Sequence, residues 1–475
     1  MTLHTLKAMF DPATRVDHAI QAAHAFQPAL NAMVSFIDPQ DQLEALTHID
    51  PSAPFYGIPV ALKDLVNMKD TRTTGSSKIL DNYISPYDAT ITRKLREAGA
   101  IIIGKASCDT FGMGGTNKTA ATGPVHNPYD LSRMSGGSSG GSAALVAAGV
   151  VPMAIGTDTG DSIRKPAAFT GIVGLKPTYG RISRYGVIPY ASSLDHVGCF
   201  TRNVTDAAAT LKVLAGRDDK DMTSSTLPVE DYPALLKGDL KGKRIGILTN
   251  VIDSISNPTV RTQFEALVEQ LSAQGALVTR VTLNDALMKA LLPTYYIIAN
   301  AEATANHANL DSLRFGVQVP GADNEETMRL SRTAGFGPLL RKRFVIGSYA
   351  LFVENQERLF RKAQRVRRLV VEDLKAALSQ LDVIIAPASG GVAPLLEGGP
   401  KTDELSGEYL IAENYMVMGN FSGYPSITIP MGFENGLPLG INLTAKAFDD
   451  ANLLDIAYGI ETLTGLKNLV AKVNA

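Results

Sequence analysis

"GGSSGGSAALVAAG", residues 136–149, runs through "VPMAIGT" (residues 151–157) into "GTDTGDSIRKPAAF" (residues 156–169). The small-residue run "SAALVAAG" reads as a helix and "VPMAIGT" as a buried strand, so Gly- and Ser-rich loops stand at both ends of one helix–strand pair. The same order recurs upstream, where "ITRKLREAGAIIIGKAS" (residues 91–107) reads as helix, Gly turn and interior strand. "AMVSFID" is a short strand-like stretch, and "YGIPVA" (residues 56–61) is β-like, with Lys63 and Asp64 just past its end. Alternating helices and strands predict an α/β fold, a large central mixed β-sheet covered by helices on both faces.

The pattern extends outward from there. Residues 12–26 place Val16, Ile20, Ala23 and Phe26 at helical spacing, an amphipathic opening helix. Residues 127–142 read as a loop, and 216–243, polar with Pro and Gly, as a surface connector. "RIGILTN" is a strand, Pro258 opens a helix that stops near Gly275, and "ALVTRVTL" follows as a strand. Residues 349–380 form a long Arg-rich helical pattern, a solvated face, ahead of the buried strand "DVIIAP". Asn435-Gly436 marks a hairpin between "SITIPMG" and "LPLGINLTA", and a last helix lies near 450–464. No fixed-period repeat is present. The expectation is one domain over 1–475, with a core of motifs at about 55–205.

Composition narrows the function classes. The 475 residues are 45% hydrophobic and 19% charged, a globular balance. A net charge of −2 argues against the broad basic face of a protein that grips nucleic acid by itself. Cys108 and Cys199 have no CxxC spacing and read as reduced core residues rather than a bridge or metal ligands. There is no signal-peptide pattern and no apolar run long enough to span a bilayer, so a soluble chain of the cytoplasm or an organelle is expected, with no membrane partner.

Three readings compete for the Gly/Ser loops. Gly136 and Gly141 have phosphate-loop spacing, but Ser142 and Ala143 stand where Lys and Ser/Thr are required. Gly137, Ser139 and Gly141 fit GxSxG, yet the preceding "HNPYDLSRM" is polar rather than a buried strand, and only His196 and His307 lie downstream as bases. A serine can instead be activated by lysine, because burial drives an ammonium toward its neutral, basic form. The parts for that chemistry are Lys63, the serines of the first loop, Ser162 in the second, and backbone N–H groups of "TGDS" facing a substrate oxygen.

These two stretches, continued by "TGIVGLKPTYGRISRYGV", resemble the signature region of the amidase signature family, in its branch of glutaminase subunits of tRNA-dependent amidotransferases. "GIPVALKD", "AGAIIIGKAS", "YASSLDHVGCFTRNV", "GFGPLLRKRFVIGSYAL" and "GYPSITIPMG" extend the resemblance over nearly the whole chain. It implies a triad in which Ser162 attacks the amide carbonyl, Ser138 relays the proton and neutral Lys63 is the ultimate base. It also implies a cis peptide between Gly137 and Ser138, a supporting hydroxyl from Ser139, an oxyanion hole of N–H groups from Thr159, Gly160, Asp161 and Ser162, and a turn braced by Asp158 and Arg164. Arg343 would pair with the α-carboxylate of glutamine and Glu413, where the family usually has Asp, with its α-ammonium.

The resemblance further implies no cofactor or metal in this chain, with ATP and Mg used by a partner. The partners would be a large tRNA-binding and a small wrapping subunit, tRNA being met only through the complex, to amidate Glu-tRNA(Gln) or Asp-tRNA(Asn). A free-standing amidase acting on another small amide, and a scaffold weakened by Asp161, are the alternatives. Two departures bear on them: "NLDS" (residues 309–312) puts Leu310 where the family has a tyrosine, and "TGDS" puts Asp161 where it has glycine. A carboxylate there sits beside developing negative charge, and would keep its N–H in place if the position has positive φ, which Asp tolerates.

Overall fold

The strands around the Gly/Ser loops enter one sheet in this computed structural model, which describes residues 3–397 and 407–473. In chain order the strands are β1 (Met33–Phe36), β2 (Ile58–Lys63), β3 (Ala100–Ala106), β4 (His126–Asn127), β5 (Asp130–Met134), β6 (Met153–Asp158), β7 (Val173–Lys176), β8 (His196–Thr201), β9 (Arg244–Leu248), β10 (Leu277–Val281), β11 (Val383–Pro387), β12 (Ser426–Glu434) and β13 (Leu437–Thr444). Eleven of them form a sheet in the order β1-β3-β2-β6-β8-β7-β12-β13-β11-β9-β10. β3, β2 and β6 run parallel at one side, β11, β9 and β10 at the other, and the strands between are antiparallel. The sheet is mixed, as the alternating pattern predicts.

Both faces are covered. Val60 and Leu62 of β2 join one apolar layer while Ala61 joins the other, and Ile102 of β3 is separated in the same way from Ile101 and Ile103. Alternation along a strand sends neighbouring side chains to opposite faces, so strands buried on both sides are apolar throughout. The smaller layer is closed by helix Pro12–Leu30, which supplies Val16, Ala19 and Ala23, and by the wholly buried helix Gly140–Ala147. Helix Pro12–Leu30 does not open the chain, since a short helix at Leu3–Met9 precedes it; it starts where Asp11 accepts from the N–H of Thr14 and Pro12 takes the first position, and it stops at Asn31 in the left-handed region.

The strands and helices expected at 258–275, 276–283 and 450–464 are present, and the strand expected at 244–250 ends at Leu248, where helix Thr249–Ser254 begins. The β12–β13 hairpin turns at Asn435 and Gly436, whose φ values of 51° and 81° are those of a type I′ turn.

Three further expectations need correction. Lys63 is the last residue of β2, and only Asp64 lies past its end. The segment read as a loop from residue 127 contains the β4–β5 ribbon, stabilised by Asn127 and Asp130 accepting from nearby N–H groups, a local polar device with no apolar alternation to reveal it. The long helix over 349–380 is broken: helix Pro338–Leu351 ends at Phe352, whose ψ of 141° is extended, and a wide turn at Glu357–Arg361 precedes helix Lys362–Leu378. Asn355 donates its side-chain amide to the Tyr349 carbonyl at this break, taking the place of a helical bond. In the connector at 216–243, Tyr232 is buried and its hydroxyl meets Arg181.

Candidate active site

Lys63 ends β2 at the point where the next parallel strand, β6, delivers Thr157 and Asp158, so the site forms at the C-terminal ends of adjacent parallel strands. The lysine is fully buried. Its Nζ lies 2.7 Å from Ser138 Oγ, 2.8 Å from Ser139 Oγ and 2.9 Å from Thr157 Oγ1. Burial is the dominant influence and drives the ammonium down to about 8, against the opposing pull of Asp109, Asp158 and Asp195. Near neutrality about a tenth of Lys63 is therefore an uncharged amine surrounded by hydroxyls.

The Gly137–Ser138 peptide is cis. Gly137 fits because a side chain there would collide with the Asp109 carboxylate, 2.1 Å from an added Cβ. Asp109 collects the N–H groups of Thr116, Asn117 and Thr119 and the hydroxyl of Thr119, while its own N–H donates to the Ser138 carbonyl at 3.0 Å. One buried residue thus ties the serine loop, through its N–H, to residues 116–119, through its carboxylate.

Ser162 lies in the second loop, and the N–H of Ser139 donates to its carbonyl at 3.3 Å, which brings the two serine segments side by side. Among the described residues, no acceptor of the chain takes the N–H of Gly160, Asp161 or Ser162. Three neighbouring donors are left for a substrate oxygen. The turn is braced from below. Burial alone would raise the Asp158 carboxyl, but Arg164 overrides it and holds the acid below the ordinary range. Arg164 spans both Asp158 oxygens at 3.1 and 2.9 Å and also reaches the Gly160 and Met416 carbonyls and Asn420. Asn420 returns its amide to Asp158 at 2.9 Å. Thr159 is fixed by its hydroxyl, 2.7 Å from Asp195, which also gathers the N–H groups of Tyr190 and Ala191.

Neither Gly160 nor Asp161 has positive φ, so the condition under which Asp161 would replace a left-handed glycine does not arise. Gly160 instead gives room to Tyr295, whose ring would lie 3.1 Å from an added Cβ. Tyr295 stands edge to face with Tyr190, 6.5 Å between centroids, and the Tyr190 hydroxyl accepts from Arg343 at 2.7 Å. Arg343 also lies over the Tyr296 ring. Glu413 is already engaged: Lys165 Nζ is 2.8 Å from Oε2, and the Gly390 N–H donates to Oε1 at 2.8 Å. Leu310 is buried against a cavity of about 210 Å³ with Asn67, Tyr83 and His307. The phenols of the site come from Tyr190 and Tyr295.

The two histidines weighed as bases serve neither serine. Their Nδ1 atoms meet the Leu194 and Ala303 carbonyls, and burial pushes His196 well below its ordinary value and His307 to about 4. Cys108 and Cys199 are free buried thiols pushed up to about 12. The sequence reading did not reach Thr157, Asp109, Asp195, Asn420, Tyr190 or Tyr295. Of these only Thr157 carried a signal, being one residue before Asp158 at the end of a strand already read as β.

Known proteins resemble this chain over most of its length. A family profile described as Amidase matches residues 15–454. The A-subunit of glutamyl-tRNA(Gln) amidotransferase from Roseiflexus castenholzii is 44% identical over 87% of this chain and 83% of its own length. The protein of that name in Acidobacterium capsulatum is 40% identical over 97% and 98%. The crystal structure of its Thermotoga maritima namesake superimposes with a TM-score of 0.82 at 33% identity, covering 100% of this chain and 98% of that one. A peptide amidase from Stenotrophomonas maltophilia gives a TM-score of 0.82 at 29% identity, covering 99% and 97%.

Proposed function

Given that the chain belongs to the amidase signature family and is related to the A-subunits of the glutamyl-tRNA(Gln) amidotransferases, we propose that it hydrolyses the side-chain amide of glutamine and supplies the ammonia to a partner. One observation carries the reading: a buried lysine with a depressed proton affinity, in contact with Ser138, beside a loop that offers Ser162 and free N–H donors.

Neutral Lys63 accepts a proton from Ser138, which takes one from Ser162, and the Ser162 oxygen bonds to the amide carbon. The carbonyl oxygen becomes an oxyanion facing the N–H groups of the 159–162 turn, where each donor is worth about 2.7–4 kcal/mol in the transition state. Collapse breaks the C–N bond, and the proton held by Lys63 returns through Ser138 to the leaving ammonia. Water then attacks the acyl-enzyme by the same relay and releases glutamate. Arg343, close to Tyr190 and Tyr295, takes the substrate carboxylate.

In this role the chain works in one cytoplasmic or organellar complex with a large tRNA-binding and a small wrapping subunit, ATP and Mg being used by the partner. The near-neutral charge fits RNA binding delegated to another subunit. Among the described residues no helix is long and apolar enough to cross a membrane. A second reading, a free-standing amidase for another small amide, is favoured by Glu413 being bound to Lys165 and by Leu310.

The deciding experiment measures ammonia release from glutamine by the purified chain, alone and with co-expressed partners, against simple aryl and alkyl amides. Glutamine turnover lost in Ser162→Ala supports the proposal. Turnover of simple amides alone, unaffected by partners, supports the second reading. Activity retained in Ser162→Ala overturns both.

A further inference from the structure

Among the described residues, Asp161 is the carboxylate of the site that no group of the chain answers. It precedes Ser162 and is half-buried; its backbone carbonyl accepts from the Lys165 N–H at 2.8 Å, but its carboxylate accepts no hydrogen bond from the chain. The cations around it are committed elsewhere. Lys165 is bound to Glu413 at 2.8 Å, and Arg164 is shared among Asp158, Asn420 and two carbonyls. With Lys165 and Glu413 paired, Asp161 leaves the trio one negative charge in excess. Tyr295 flanks the same turn at Gly160 and connects it to Tyr190 and Arg343.

A partly buried carboxylate without a counterion loses part of its hydration uncompensated, and it lies beside the place where the oxyanion forms. A cation brought by the substrate removes both costs at once. We propose that Asp161 is the receptor for an ammonium group on the amide substrate, so that the site selects ammonium-bearing amides over their uncharged counterparts. This rests on Ser162 being the nucleophile, as proposed above.

The receptor is sensitive to pH. Burial pushes the Asp161 carboxyl up to about 7; Asp158 and Glu413 push in the same direction, Lys165 and Arg164 oppose them, and the Tyr295 phenol faces it. The charged receptor therefore accumulates as pH rises through 7.

The test compares kcat/KM for glutamine and for its deamino counterpart, 4-carbamoylbutanoate, between pH 6 and 8 in the wild-type chain and in Asp161→Asn, which keeps the backbone N–H. The wild type is expected to favour glutamine by about tenfold or more at pH 8, with the preference growing from pH 6 to 8, and Asp161→Asn to shrink it mainly through KM. A wild-type preference that is flat with pH, or one unchanged in Asp161→Asn, overturns the assignment while leaving amide hydrolysis through Ser162 standing. Failure of the wild-type chain and its complex to hydrolyse either amide overturns the proposed function and this inference with it.

Discussion

Nζ of Lys63 lies 2.7 Å from Oγ of Ser138, and both atoms are sealed from solvent. In the proposed mechanism the lysine acts as base when it is neutral. With its ammonium brought down by burial to about 8, log kcat/KM is expected to rise with a slope near one between pH 6 and 8 and to level above. Lys63→Ala should lose about 10³-fold or more and the pH dependence with it. Because the unfolded chain still binds the proton between about 8 and the ordinary 10.5, the same shift makes folding stability climb with pH across that window. Rate profiles and denaturant midpoints measured over pH 6–10 check both signs.

Thr157 holds Lys63 through its hydroxyl, at 2.9 Å. Thr157→Val keeps the shape and removes the hydroxyl, a loss of about 1 kcal/mol in one hydrogen bond. A several-fold drop in kcat with KM little changed is expected from steady-state kinetics.

Asp158, Arg164 and Asn420 form a closed set in which every charge has a partner. Asp158→Asn would strand a buried guanidinium, and such losses cost about 3–5 kcal/mol. Chemical denaturation should show a midpoint shift of that size, and Asn420→Ala a smaller one in the same direction.

Arg343 reaches the site through Tyr190. Arg343→Ala should raise KM for a carboxylate-bearing amide by about ten- to a hundredfold, the worth of a hydrogen bond to a charged group, with a much smaller effect on an uncharged alkyl amide. Tyr190→Phe, which frees the guanidinium without removing it, should move KM by less than tenfold.

Much of this was legible from residues in order. The period of apolar residues separated helices from strands, and the long motifs led to Lys63, Ser138 and Ser162. The order of strands was not legible: β12 lies beside β7 although residues 426 and 176 are far apart in the chain, and no local pattern reports such a pairing. The polar ribbon at 126–134 was missed because it is held by Asn and Asp side chains rather than by alternation. Asp109 and Asn420 escaped for a related reason. Each acts by satisfying groups distant in sequence, as Asn420 does for Asp158, and a lone polar residue in a sequence does not disclose its partner.

The groups proposed to react, from Lys63 to Ser162, come from one early stretch of chain, at the end of β2, in the loop before helix Gly140–Ala147 and in the loop after β6, while Tyr295 and Arg343 arrive on helices Asp285–Asn306 and Pro338–Leu351. The grip on the substrate carboxylate is thereby housed largely apart from the reacting groups. Exchanging the later helices between relatives would give hybrids that keep the proton circuit and Asp161 and differ in the part of their diet that Arg343 and Tyr295 set.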